Sequence, residues 1–317
     1  MKTWKMLLTL VVAFMLTGCG SPFAPIVVAP ASVPVISYPG ELPESLRERS
    51  ILWYGGVLRL KNPTGAIEVA LPEDNICDIR LSWDDRYMTY VSCPLIVGEG
   101  LPKRGDNRIN ILDLQTGEKR ELASKEQLFP DAVWFKAPTF TRDGKSVIFQ
   151  VAWEHAVDLV RVNIESGEMQ RLDVDVFLTS FTPPDVSQDG HIVVICKGSN
   201  PDTVSELCLL NENGKFIRYL TSNLTSEGYP VGDVLFTPDG QYVIYENRYK
   251  LFKVQTDGNG QQQIAPCGSP LLVTDEHVVA WCYVSQEPDC YGLFIASLGG
   301  SDFRRVGYIE PYCVSGK

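Results

Sequence analysis

The sequence is poor in the side chains that do metal and acid–base chemistry. It holds three histidines in 317 residues, His155, His191 and His277, and they fall in separate stretches of chain. Its nine cysteines include no Cys-x-x-Cys pair, so the ligand spacing of a structural zinc site is missing. There is no Gly-x-Ser-x-Gly elbow to present a serine nucleophile, and no Asp-x-Asp-x-Asp-Gly calcium loop of the EF-hand kind. Positive charge is short as well: 28 lysines and arginines stand against 39 aspartates and glutamates, a net charge of -11. Nucleic acid needs a basic footprint, so the balance excludes it as a partner. These absences imply no catalytic residue, no metal and no cofactor.

Long apolar runs are confined to the start. Lys2 and Lys5 precede a short apolar core over residues 6–15, which closes on Leu16-Thr17-Gly18-Cys19. The core is too short to span a bilayer comfortably, and no later stretch reaches that length. The four closing residues resemble the lipobox of bacterial lipoprotein signals. That resemblance implies removal of residues 1–18, acylation of Cys19 and an extracytoplasmic protein held to a membrane by lipid, in the periplasm or at the cell surface. Residues 19–48 then read as a tether. Pro22, Pro25, Pro30, Pro34, Pro39 and Pro43 recur through it, and proline-rich chain stays extended and semi-rigid.

Setting Cys19 aside leaves eight cysteines, an even number in an exported chain, which points to disulfides. Cys196 and Cys208 lie on successive predicted strands around Asn200-Pro201-Asp202. Cys282 and Cys290 do the same around Gln286-Glu287-Pro288-Asp289. Facing hairpin residues are close enough to be bridged. Cys77 with Cys93 joins neighbouring strands in the same way, leaving Cys267 for Cys313.

What the chain has in quantity is one repeated pattern. Thr237-Pro238-Asp239-Gly240 leads directly into the apolar run Tyr242-Val243-Ile244-Tyr245. Asp-Gly suits a tight turn, because glycine accepts positive φ without steric cost. The run after it is too apolar for a strand with one wet face and reads as covered on both. The turn aspartates Asp84, Asp143, Asp189, Asp239 and Asp275 recur at intervals of 59, 46, 50 and 36 residues. Each copy is followed by a second hairpin turning at Thr116-Gly117, Ser166-Gly167, Asn213-Gly214, Asp257-Gly258 or Gly299-Gly300. A further hairpin, Val57-Leu58-Arg59-Leu60 turning at Thr64-Gly65, has no Asp-Gly half before it.

Four strands per unit at such a period is the signature of propeller blades. The remaining length of roughly 270 residues suits six blades of about 45. The expectation is an all-β, six-bladed β-propeller of four-stranded antiparallel blades over residues 49–317. The turn aspartates are expected to bond their own turn backbone rather than to form a ring of free carboxylates.

The pattern [Ser/Thr]-x-Asp-Gly, a hydrophobic strand, and then a strand–turn–strand through [Thr/Ser]-Gly-Glu resembles the TolB-like (WD40-like PD40) β-propeller repeat. Asp85 and Glu276 depart from it, standing where glycine is usual. The resemblance implies that the Asp-Gly turns lie opposite the ligand face. Binding would fall to the loops between blades and between each blade's second and third strands. Here those loops carry Arg104, Trp153, Glu154, His155, Glu246, Arg248, Tyr283 and Glu287. The inter-blade loops add Phe129, Trp134, Phe135, Phe177, Phe181 and Tyr229, several of which are expected to fill space between blades. Some relatives of this propeller append a hydrolase domain, and others, resembling oligogalacturonate lyases, gather histidines on a metal. Neither feature is found in this sequence. The expected function is therefore a lipid-anchored, non-catalytic binding or scaffolding module for a protein partner or an envelope polymer. The alternative is a carbohydrate-active hydrolase or lyase working through loop carboxylates such as Glu154, Glu246 and Glu287.

Overall fold

The structure is a computed structural model and describes residues 43–46, 50–53, 56–60, 66–69, 76–92, 108–124, 134–153, 156–179, 182–198, 205–222, 232–284 and 290–308. Among the described residues, apart from one short 3₁₀ turn, Glu44–Leu46, every regular element is a strand. Leu46, in that turn, is fully buried.

The strands form six sheets in chain order. The first has three: Ser50–Trp53 (β1), Gly56–Leu60 (β2) and Ala66–Val69 (β3). The second holds Ile76–Leu81 (β4), Tyr87–Ser92 (β5), Arg108–Asp113 (β6) and Lys119–Ser124 (β7). The third holds Trp134–Phe140 (β8), Ser146–Ala152 (β9), Val157–Asn163 (β10) and Met169–Arg171 (β11). Next come Asp185–Val186 (β12), Ile192–Cys196 (β13), Glu206–Leu210 (β14) and Phe216–Tyr219 (β15). The fifth is Val234–Phe236 (β16), Tyr242–Asn247 (β17), Lys250–Gln255 (β18) and Gln262–Ala265 (β19). The last is Ser269–Val273 (β20), His277–Val284 (β21), Cys290–Ser297 (β22) and Phe303–Tyr308 (β23).

All pairings are antiparallel between consecutive strands. There are thus five four-stranded blades, not the six expected. The hairpin that lacks an Asp-Gly half accounts for the difference, because it builds only the three-stranded sheet β1–β3. The first strands touch in series, β4 with β8, β8 with β12, β12 with β16 and β16 with β20. β1 touches both β4 and β20. That contact closes the ring around an axis lined by first strands.

The apolar runs after the turns are the second strands, and they are buried along nearly their whole length. Val193, Ile192, Val147, Val243 and Ile244 have no exposure. Four hydrophobic clusters each join two neighbouring blades. One packs Val91, Ile109 and Ile111 against Phe135, Phe149 and Val160. Another packs Ile195 and Leu207 against Val234, Phe236 and Tyr245. Each such side chain contributes about 1.5–3 kcal/mol relative to exposure, and no single blade could cover both its faces alone.

The Asp-Gly turns repeat one hydrogen-bond set. The Thr237 hydroxyl donates to Asp239 Oδ1, which also accepts the Gln241 N–H at 3.0 Å, while Thr237 Oγ1 accepts the Tyr242 N–H at 3.0 Å. Thr141 with Asp143 and Ser82 with Asp84 reproduce it. Gly144, Gly190 and Gly240 sit at φ 68°, 86° and 69°, and Asp85 takes the same region at 56°. The copy at Thr274 keeps only the Thr274 Oγ1 bond to the His277 N–H, at 3.0 Å. Both departures from the repeat still build blades.

Candidate functional site

Alternation of strand direction places the Asp-Gly turns at one end of the ring. The loops between second and third strands, and those between blades, are at the other end. Three first strands are irregular where they line the axis. Register breaks occur between Cys77 and Arg80 in β4, Lys136 and Thr139 in β8, and Pro270 and Leu272 in β20. Asp78 and Ala137 have φ of 46° and 54° at the first two breaks, and bulges of this kind re-aim side chains beside functional sites. Asp78 Oδ2 accepts the Ala137 N–H of the next blade at 3.1 Å.

These irregularities turn charged groups inward. Arg80 donates to Asp233 Oδ1 at 2.7 Å, and Ser269 Oγ donates to Asp233 Oδ2 at 3.2 Å. β4 and β16 occupy opposite positions in the ring, so the Arg80–Asp233 ion pair crosses the axis. Asp185 is buried between β12 and β16, where its Oδ2 accepts the Phe236 N–H at 2.6 Å. Burial pushes the Asp185 carboxyl up to about 6, against the opposing N–H bonds from Phe236 and Val186 and the fields of Arg80 and Arg142. Burial also raises Asp78, against the Ala137 N–H and the charges of Lys136 and Arg80. Toward the turn face the axis opens into a cavity of about 60 Å³, with Arg80 and Asp185 set among Leu81, Phe140, Leu235 and Leu272.

Glu246 closes the other end of this chain of charges. Burial raises its carboxyl, a Ser269 hydrogen bond lowers it and the nearby Asp233 raises it further. Of the other expected ligand-face residues, Trp153 is tied into its own hairpin. Its ring N–H donates to Asp158 Oδ2, which also accepts Arg171 at 2.7 Å, and the Arg171 guanidinium lies 5.7 Å from the Trp153 ring centre. Arg248 is exposed at the β17–β18 turn. Tyr283 lies on β21, with only its backbone described. Arg104, Glu154, His155 and Glu287 lie outside the described residues, as do Phe129, Phe181, Tyr229 and Cys19. Phe135 is fully buried and packs on Phe149 with ring centres 5.4 Å apart, and Trp134 is half-buried. Phe177 is 58% exposed and Tyr249 67% exposed. Among the described residues no three histidine, cysteine, aspartate or glutamate side chains cluster as metal ligands. His191 instead pairs with the turn aspartate Asp189 at 2.7 Å.

The cysteines follow the expected pairing only in part. Cys196 is bonded to Cys208, with Cα atoms 5.9 Å apart. The strand register sets Cys196 opposite Glu206 and Cys208 opposite Val194, a diagonal rather than a facing pair. Cys282 is bonded to Cys267, with Cα atoms 5.6 Å apart. This replaces both the Cys282–Cys290 and the Cys267–Cys313 pairings. Cys290 sits opposite Val284 on β22, whereas the loop after β19 carries Cys267 onto Cys282. Cys93 and Cys313 lie outside the described residues, as does the side chain of Cys77.

Asp78, Arg80, Asp185, Asp233, Ser269 and Tyr249 are the residues that sequence reasoning missed. Asp185 sits two residues ahead of the Ser187 that opens an Asp-Gly turn, a spacing that could have marked it as a first-strand residue.

A closed ring of antiparallel blades, five of them four-stranded, is a β-propeller, and its fold is TolB-like. No family model matches the sequence, and no curated protein matches it. Among solved structures it is similar to TolB from Acinetobacter baumannii, at 17% identity and a TM-score of 0.58, over 97% of this chain and 69% of that one. It is also similar to a chain of the nidogen/laminin complex, at 11% identity and a TM-score of 0.54, over 80% of this chain and 90% of that one.

Proposed function

We propose that this protein is a lipid-anchored, extracytoplasmic β-propeller that serves as a non-catalytic binding or scaffolding module for a protein partner. The observation that carries the reading is an asymmetry between the two faces. On the turn face the aspartates are consumed by their own turns. On the opposite face stand both large hydrophobic side chains that are exposed among the described residues, Phe177 and Tyr249. Exposed aromatics on a rigid scaffold are what protein interfaces are built around. The Cys196–Cys208 and Cys267–Cys282 bonds suit an oxidising compartment, and Cys19 supplies the lipid. A chain of the nidogen/laminin complex shares the fold, which supports a protein as the thing bound.

The test is affinity purification of the full chain from its own cells, with mass analysis of its N-terminal peptide. The reading expects an acylated Cys19 and a stoichiometric protein companion. A chain that still carries residues 1–18, or that comes without a companion, counts against it.

A second reading has one observation behind it. The raised Glu246 carboxyl beside Asp233 is the kind of environment that makes a general acid in glycoside chemistry. If the protein is a carbohydrate-active enzyme, Glu246→Gln abolishes turnover of an envelope polysaccharide; no wild-type turnover dismisses this reading.

A further inference from the structure

The hairpin joining β17 to β18 closes through two residues, Arg248 and Tyr249, between the facing pair Asn247 and Lys250. Their φ angles are +51° and +63°. Two-residue hairpins want that twist, but glycine and asparagine are its usual occupants. Bulky side chains in this region cost the fold stability.

The molecule nevertheless holds the turn firmly. The Tyr249 carbonyl accepts the Gly268 N–H at 2.8 Å. Gly268 has φ 134°, and a Cβ added there would stand 2.9 Å from the Ala280 Cβ and 3.3 Å from Cys282 Sγ. The loop is therefore pressed against the last blade, and the neighbouring Cys267 is bonded to Cys282. On the other side Leu251 is fully buried. A disulfide in one blade thus fixes the loop that fixes the turn of the blade before it.

What this braced turn presents is the 67% exposed Tyr249, flanked by exposed Arg248 and Lys250. Two positive charges thus flank the ring at the tip of a protein whose net charge is -11. Phe177 is on the same face, since its carbonyl accepts the Lys197 N–H at the far end of β13 from that strand's Asp-Gly turn.

We propose that the Arg248-Tyr249-Lys250 tip is the anchor by which this propeller seats in its protein partner. Tyr249 fills an apolar pocket there, and Arg248 and Lys250 meet carboxylates on the pocket's rim. The inference rests on the reading of the propeller as a protein-binding module. Tyrosine and arginine dominate interface energetics when they enter well-packed pockets, and a tip ordered in advance avoids the entropy of ordering it on contact. Carboxylates on the partner are drawn to the tip and repelled by the acidic remainder of the surface, which sets the orientation of docking.

The experiment places photoreactive p-benzoylphenylalanine at position 249 of the full chain in its own cells to define the protein it contacts. Recovery of that protein is then compared between wild type and two variants, Arg248→Asn/Tyr249→Gly and Arg248→Glu/Lys250→Glu. The first variant builds the same turn without the conformational cost. The proposal expects its melting temperature to rise while recovery of the partner falls at least tenfold. The charge-reversed variant also loses the partner, and wild-type recovery falls with added salt. Equal recovery by Arg248→Asn/Tyr249→Gly overturns the anchor and leaves the binding-module reading standing. An adduct at 249 made only of lipid overturns the anchor as well. No companion protein with the wild-type chain overturns both.

Discussion

Arg80 and Asp233 are 153 residues apart in the chain and 2.7 Å apart across the propeller axis. Arg80 is 15% exposed and Asp233 32%, so the pair is shielded from solvent without being sealed off. It braces β4 against β16, which belong to different sheets and share no backbone pairing. A double-mutant cycle with Arg80→Met and Asp233→Asn should give a coupling of about 1 kcal/mol, between the values typical of surface and of buried pairs. Additive effects on unfolding would show that the ion pair does not brace the ring.

The axial carboxylates set a pH dependence of stability. Asp185 titrates at about 6 in the folded protein and near 4 when unfolded. Between those values the folded state holds a proton that the unfolded state has lost. Its stabilising contribution is therefore complete below about pH 4 and is lost as pH rises through about 6. Asp78 and Glu246 are raised too and act in the same direction. Thermal melts should show stability increasing from pH 7.5 to pH 5, and Asp185→Asn should flatten that slope. An unchanged slope in the variant would mean that Asp185 is not the group responsible.

The turn aspartates should matter for stability and not for binding. Asp143 accepts from Thr141 and from the Lys145 N–H, with Asp239 doing the same in its blade. Either one changed to Ala should cost about 1 kcal/mol, read from chemical denaturation, with partner recovery unaltered. Loss of the partner without loss of stability would return these carboxylates to the list of binding groups.

Non-reducing peptide mapping should find Cys196 linked to Cys208 and Cys267 linked to Cys282. Replacing both members of either pair with Ser should destabilise the protein by about 2–4 kcal/mol, through the freedom restored to the unfolded chain. A Cys282–Cys290 peptide would contradict the path of the loop through Gly268.

What was legible in the sequence was local. Asp143-Gly144 and Asp239-Gly240 announce their turns because aspartate and glycine are chosen there by turn chemistry alone. The runs after them announce buried strands because both faces must be apolar. The first strands were harder to read. Arg80 and Asp233 look like ordinary surface charges until the ring closes and brings them together. Cys267 falls to Cys313 by elimination once the other cysteines are paired along neighbouring strands, whereas the loop between blades carries it onto Cys282. The blade count was overestimated because the hairpin at Val57 resembles half a blade, and only three strands form around it. Tyr249 escaped notice because an Arg-Tyr turn breaks the rule by which turns are recognised. The apolar pattern does stop at Tyr245 and resume at Leu251, which leaves room only for a tight reversal between them.

The most direct measurement of the central claim is amide hydrogen exchange on the full chain with and without its copurified partner. The account predicts that binding slows exchange at residues 177–179 and 247–250, on the face that carries Phe177 and Tyr249. Protection confined to the Asp-Gly turns at residues 142–146, 188–191 and 239–242 would contradict it.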